Sequence, residues 1–277
     1  MGDAASAPAR PRVTILLPSF RTRELTCLCL RLLRRHTDPA LARVLVIDND
    51  SGDESLDYLR GVAWIELLER RRPPGEQPHV SHARALDLGF ERVETPYVLS
   101  LHTDSFVLRP DWLPWLLAPL EADPGLAGVG AWKQGERSGW RHRLKLIERG
   151  VERRLRPLLG LGAGRVEGLG ENFFYLRSHC ALYRTAPLRA LGLSFALREG
   201  PAGKWLHRGL VEAGWRMKLL QEAELAPYLL HANRATQVLN PDLGIARRYV
   251  RRGNRRLLQV MRRLDAPRLL ADSSLDR

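Results

Sequence analysis

The feature that most constrains this fold is a rhythm of short, uninterrupted apolar runs separated by segments of helical period. Val13-Thr14-Ile15-Leu16-Leu17 stops at Pro18-Ser19, and Val44-Leu45-Val46-Ile47 stops at Asp48-Asn49-Asp50-Ser51-Gly52-Asp53. Tyr97-Val98-Leu99-Ser100-Leu101 runs straight into His102-Thr103-Asp104. A run that is apolar at every position suits a strand covered on both faces, as in a parallel sheet. Between the first two runs, Leu25, Leu28, Leu32 and Leu33 recur at helix spacing. Strands alternating with helices predict βαβ units and an α/β fold with a mainly parallel, Rossmann-like sheet flanked by helices.

Further strands are expected at 64–68, 126–132, 176–183 and 225–230. Helices are expected at 54–60, 80–93, 110–122, 203–214 and 245–264, with a basic one at 137–158. Residues 160–170 are Gly-rich and read as a loop, and residues 1–11 as a flexible tail. The chain of 277 residues is long enough for one large α/β domain. The expected division is a domain over 12–240, with a nucleotide-binding half at 12–132 and an acceptor half at 133–240. A basic amphipathic helix and tail at 241–277 completes it.

Ligands of an open α/β sheet bind beyond the carboxyl ends of its strands. Three polar clusters sit at such ends: Pro18-Ser19-Phe20, Asp48 to Asp53, and His102-Thr103-Asp104. Each alone is ordinary turn chemistry. Together they suit a nucleoside diphosphate. Asp48 can accept from a base N–H, Phe20 can lie beside a planar ring, and Asp104 can hold a divalent cation that neutralises a diphosphate leaving group.

The same segments resemble family 2 glycosyltransferases, whose fold is the GT-A type. Val13 to Phe20 is similar to that family's opening strand and its P-x-(Y/F) turn. Val44 to Asp53 resembles its V-V-D-N-x-S-x-D segment, and Leu99 to Asp104 followed by Arg109-Pro110-Asp111-Trp112-Leu113 resembles its D-x-D strand end and P-x-W-L helix. The resemblance is good over 12–132 and looser to about residue 240. It implies sugar transfer from a nucleotide-activated donor, with inversion by single displacement and Mn²⁺ or Mg²⁺ as cofactor. Carried over, Asp48 would contact the base and Asp53 would support that pocket. Asp104 and His231 would hold the metal, and Pro18, Ser19, Phe20 and His102 would line the nucleotide site. The base stays open, with UDP and dTDP as candidates. The acceptor implied is a lipid-linked glycan or a cell-envelope polysaccharide.

Two departures stand out. The first Asp of D-x-D is His102, which can bind ribose or metal but brings no negative charge. The family's Glu-Asp pair, whose Asp is the general base, is replaced by Ala202-Gly203-Lys204. Glu199 and Glu171 are the nearest alternatives for the base, and His179 is a further one.

The charge balance is +13 and comes mostly from arginine. It favours anionic partners. Basic amphipathic stretches at 137–158 and along Arg247 to Leu264 suit an anionic membrane surface. Nucleic acid is the weaker reading, because few aromatics interleave with these arginines. Three cysteines, Cys27, Cys29 and Cys180, make a poor disulfide framework. No secretory leader is apparent. The expected location is therefore cytoplasmic, peripheral on the inner face of the plasma membrane. A non-catalytic nucleotide-sugar-binding relative is the main alternative to an enzyme.

Overall fold

The computed structural model describes residues 10–132, 172–198, 200–233, 235–243 and 247–277, the side chains of 247–249 aside. Expectations for Glu171, Glu199, most of the tail and the basic stretch at 137–158 fall outside these residues.

Nine strands are present among the described residues. They are β1 (Val13–Ser19), β2 (Ala42–Asp48), β3 (Glu66–Glu69), β4 (Tyr97–Leu101), β5 (Ser105–Val107), β6 (Leu126–Ala131), β7 (Cys180–Arg184), β8 (Arg216–Leu220) and β9 (Leu229–His231). Seven form one sheet in the order β3-β2-β1-β4-β7-β6-β8, while β5 and β9 form a small antiparallel ribbon. β1, β2, β3 and β4 are parallel. β7 is antiparallel to both its neighbours, β4 and β6, and β8 is parallel to β6.

The uninterrupted apolar runs are explained by two cores, one on each face of the sheet. Ile15, Leu17, Val44 and Val46 pack toward helices α1 (Arg23–His36) and α4 (Trp112–Ala122). Leu16, Leu45 and Ile47 pack toward α3 (Pro78–Glu91). Alternate residues of one strand thus reach opposite cores, as a period of two requires. At about 25 cal/mol per Å² of apolar surface, each such buried aliphatic chain contributes roughly 1.5–3 kcal/mol. α2 (Glu54–Arg60) is capped by Asp53, whose side chain accepts from the Ser55 N–H at 2.9 Å.

Several boundaries differ from the sequence reading. The strand expected at 176–183 begins only at Cys180, after a turn. The strand expected at 225–230 is shorter and later, β9 at Leu229–His231, and Leu225 ends a short helix, Glu222–Leu225. A capping box fixes that helix, with the Glu224 carboxylate accepting from the Gln221 N–H at 2.7 Å. β8 was not anticipated, because Arg216 and Lys218 give it a charged, half-exposed face. Gly130 is required where β6 meets β7: a Cβ there would stand 2.3 Å from the Cys180 carbonyl oxygen.

Candidate functional site

Parallel pairing aligns the strand ends. Ser19 is the register partner of Asp48, and β4 ends at Leu101, opposite Cys180. Because β7 runs the other way, it begins at this edge, and so Arg177, Ser178 and His179 arrive beside His102. A cavity of about 450 Å³ opens there. Pro18, Ser19, Phe20, His102, Asp104 and His231 all line it.

Asp104 is the centre of the polar set. Its Oδ1 lies 3.3 Å from His231 Nδ1 and 3.7 Å from His102 Nδ1. Its Oδ2 accepts from the Ala235 N–H at 3.1 Å. Ligand atoms of His102, Asp104 and His231 all lie within 4.8 Å of one another. Burial pushes the Asp104 carboxyl up, but the His231 and His102 imidazoles and the Ala235 N–H outweigh it, and the group stays well below the usual carboxylate range. Burial lowers His231 to about 4. At neutral pH the pair is therefore an ionised carboxylate beside a neutral imidazole, which is the state a metal needs.

Neighbours hold these rings in place. His102 Nε2 lies 2.9 Å from the Ser178 hydroxyl, and Ser105 Oγ lies 3.0 Å from His231 Nδ1. His179 stacks on His231 at 4.3 Å between ring centroids and is buried. It lies behind the metal-ligand candidates and is not among the cavity-lining residues. Burial first, then the other histidines, hold it well below its ordinary value. His82, which meets His102 edge-on at 4.7 Å, is pushed down to about 3 by burial.

The wall formed after β1 and β2 is basic. The Phe20 ring carries the Arg21 and Arg72 guanidiniums at 5.0 and 4.8 Å. Arg72 lines the cavity, and its Nε is buried without a hydrogen-bond partner. Asp48 sits one residue behind the wall that Asn49 lines. Its Oδ2 accepts from the Ser51 N–H at 3.1 Å, while its Oδ1 is buried and unpartnered. Burial raises the Asp48 pKa, and the bonds from Ser51 oppose this. Asp53 stands away from the cavity wall as the cap of α2.

Asn49 is fixed by a second network. Its side-chain oxygen accepts from Arg70 at 2.7 Å and its amide donates to Ser81 at 2.9 Å. Arg70 also holds Glu76 at 2.6 Å, as Arg84 does at 2.8 Å. Burial pushes Glu76 up, but these partners and Ser81 bring it down to about 2. Arg72, Ser178 and His82 were not singled out by sequence. The loop before α3 brings Arg72, α3 itself His82 and the antiparallel return of β7 Ser178, and no periodicity carries that information.

The family model of glycosyl transferase family 2 matches residues 14–192. The fold is similar to that of mannosyltransferase PcManGT from Pyrobaculum calidifontis, solved with GDP-Man and Mn²⁺. Identity is 19%, with 79% of this chain and 58% of that one covered, at a TM-score of 0.55. It is also similar to TarS residues 1–349 from S. aureus, at 12% identity, 84% and 63% coverage and a TM-score of 0.53. The chain thus spans about six tenths of either solved protein, and at these identities the likeness is one of fold, the GT-A fold. No curated protein sequence matches the chain. With the family model matching well over half its length, and the family's strand-end segments meeting in one cavity, the chain belongs to glycosyl transferase family 2.

Proposed function

We propose that the chain is a metal-assisted glycosyltransferase that moves a sugar, with inversion, from a nucleoside diphosphate donor to an acceptor hydroxyl. One observation supports this most. Three strand ends far apart in sequence meet around a buried carboxylate flanked by two imidazoles, beside an arginine with an unpartnered donor. A buried unpaired polar atom costs about 1–3 kcal/mol. Arg72 Nε and Asp48 Oδ1 are two such atoms, and a diphosphate and a base N–H would relieve them.

The donor set fits a divalent ion. His102, Asp104 and His231 would hold it, and it would supply charge neutralisation to the departing diphosphate. Two imidazoles with one carboxylate favour Mn²⁺ over Mg²⁺. Phe20, Arg72, Pro18 and Ser19 would position the nucleotide, with Asp48 reading the base and Asp53 holding the turn through its cap. The acceptor oxygen attacks the anomeric carbon as the bond to the diphosphate breaks. Its proton would pass to Glu171 or Glu199. UDP and dTDP remain the candidate nucleotides, and a glycan or lipid-linked glycan the acceptor.

A thermal-shift screen of nucleotide sugars tests this. The matching donor should raise Tm with Mn²⁺ more than with Mg²⁺, since ligand at about 100 times Kd adds ~2.7 kcal/mol. No stabilisation by any nucleotide sugar, with either ion, would contradict the reading.

Attachment to the inner face of the plasma membrane is part of the same proposal. No helix of the described residues is long and apolar enough to cross a membrane. Helix Arg247–Arg263 packs Val260 inward. Outward it shows Arg251, Arg255 and Arg262 around Leu258, which is 58% exposed. That face suits anionic headgroups. The triple variant Arg251→Gln, Arg255→Gln, Arg262→Gln should lose sedimentation with phosphatidylglycerol vesicles. Equal binding of the wild-type chain to phosphatidylcholine would refute the electrostatic basis.

A further inference from the structure

Aromatic and cationic side chains gather in a rim beside the cavity, next to its lining residues Tyr175, Pro201 and Ala202. Phe173 and Trp205 meet edge to face at 6.0 Å, and Phe173 lies 6.0 Å from Tyr175, which lines the cavity. Trp205 is the second residue of the helix Lys204–Glu212, which follows the lining residues Pro201 and Ala202. Three cationic groups surround its indole: Arg198 at 4.8 Å, Lys204 at 5.0 Å and Arg208 at 5.8 Å from the ring centroid. Lys204 and Arg208 also reach Phe173, at 5.5 and 5.3 Å. Arg177, a further cation, lines the cavity beside Tyr175.

Among the described residues these charges are poorly compensated. Arg208 pairs with Glu212 one turn on, at 2.8 Å, and that carboxylate is mostly exposed. Neither Lys204 nor Arg198 has an ion-pair partner among the described residues. Like charges around one ring repel, and the ring's quadrupole attracts each cation only weakly. A bound anion removes that repulsion, while the half-exposed faces of Phe173 and Trp205 offer apolar contact to a sugar ring.

We infer that this rim is an acceptor subsite for a saccharide carrying an anionic group, a phosphoryl or a carboxylate, with Lys204 and Arg198 holding the charge and Trp205 and Phe173 the ring. The inference rests on the glycosyltransferase reading for the word acceptor, but its binding chemistry can be measured separately.

The test titrates glucose, glucose 6-phosphate and glucuronate into the full chain saturated with Mn²⁺ and the nucleoside diphosphate selected by the thermal screen. At least one anionic hexose should bind about tenfold more tightly than glucose. Raised salt should erode that preference. The double variant Lys204→Ala, Arg198→Ala removes two surface side chains and should abolish the preference while nucleotide binding is retained. Preference for glucose 6-phosphate alone identifies a phosphoryl acceptor, and preference for glucuronate alone a uronate; either supports the subsite. Equal binding of all three sugars overturns it, as does a preference that survives in the double variant. If the wild-type chain binds no nucleotide, the donor reading falls instead, and the comparison of the three sugars in its absence still decides the subsite.

Discussion

Asp104→Asn is expected to lower sugar transfer by on the order of 10²–10³-fold, as loss of several kcal/mol of charge stabilisation at a leaving group requires. Asp104 is the only carboxylate among the described residues lining the cavity, and it lies between His102 and His231. Asparagine keeps the volume and leaves an oxygen to accept from the Ala235 N–H, which Asp104 Oδ2 receives at 3.1 Å. The fold should therefore survive, with Tm within a few degrees of the parent. Metal binding should not survive, because two neutral imidazoles then face an uncharged amide. Titration calorimetry with Mn²⁺ separates the two effects. An Asn variant that binds Mn²⁺ with the parent's affinity would remove Asp104 from the metal site.

Asp276→Ala should be the most destabilising single change considered, at about 3–5 kcal/mol, because it strips a buried charge of its partner. Arg31, in the middle of α1, is 4% exposed. Its Nε donates to Asp276 Oδ1 at 2.9 Å, and its Nη2 pairs with Oδ2. Nη1 donates to the Leu269 and Leu270 carbonyls at 2.8 and 2.7 Å. Tyr58 completes the set, donating to Asp276 Oδ1 at 3.0 Å. The hydrogen bonds from Arg31 to Asp276 hold the guanidinium above its ordinary value against burial. For a chain of this size the expected loss lowers Tm by roughly 10 °C. Replacing both partners by apolar residues, as in Arg31→Met with Asp276→Leu, should recover much of that loss, since the desolvation cost disappears along with the pair. A Tm unchanged in Asp276→Ala would show that the charge finds another route to solvent.

The fold was legible where local pattern and burial agree. β1, β2 and β4 are apolar at nearly every position because both faces of the sheet are covered, so their sequence states both their type and their place in the sheet. β8 was not anticipated and β9 was expected to start four residues too early, because they lie at or beyond the sheet edge, where alternating charge or shortness hides a strand. Asp53 was expected to support the base pocket; it caps α2, away from the cavity wall. The Arg31–Asp276 pair was illegible, because nothing near Arg31 in the chain says that its charge is buried with a partner 245 residues away.

The sequence by itself determined the strand–helix alternation, the three polar strand ends and the departures at His102 and at Ala202-Gly203-Lys204. These are local facts, fixed by residue type and spacing. The tertiary structure alone decided which residues those ends bring together. The reversed direction of β7 and the ribbon of β5 with β9 bring Ser178 and His231 to His102 and Asp104, and pairing over such separations leaves no trace in a local window. It also set Lys204, at the second departure, with Arg198 and Arg208 around a single indole.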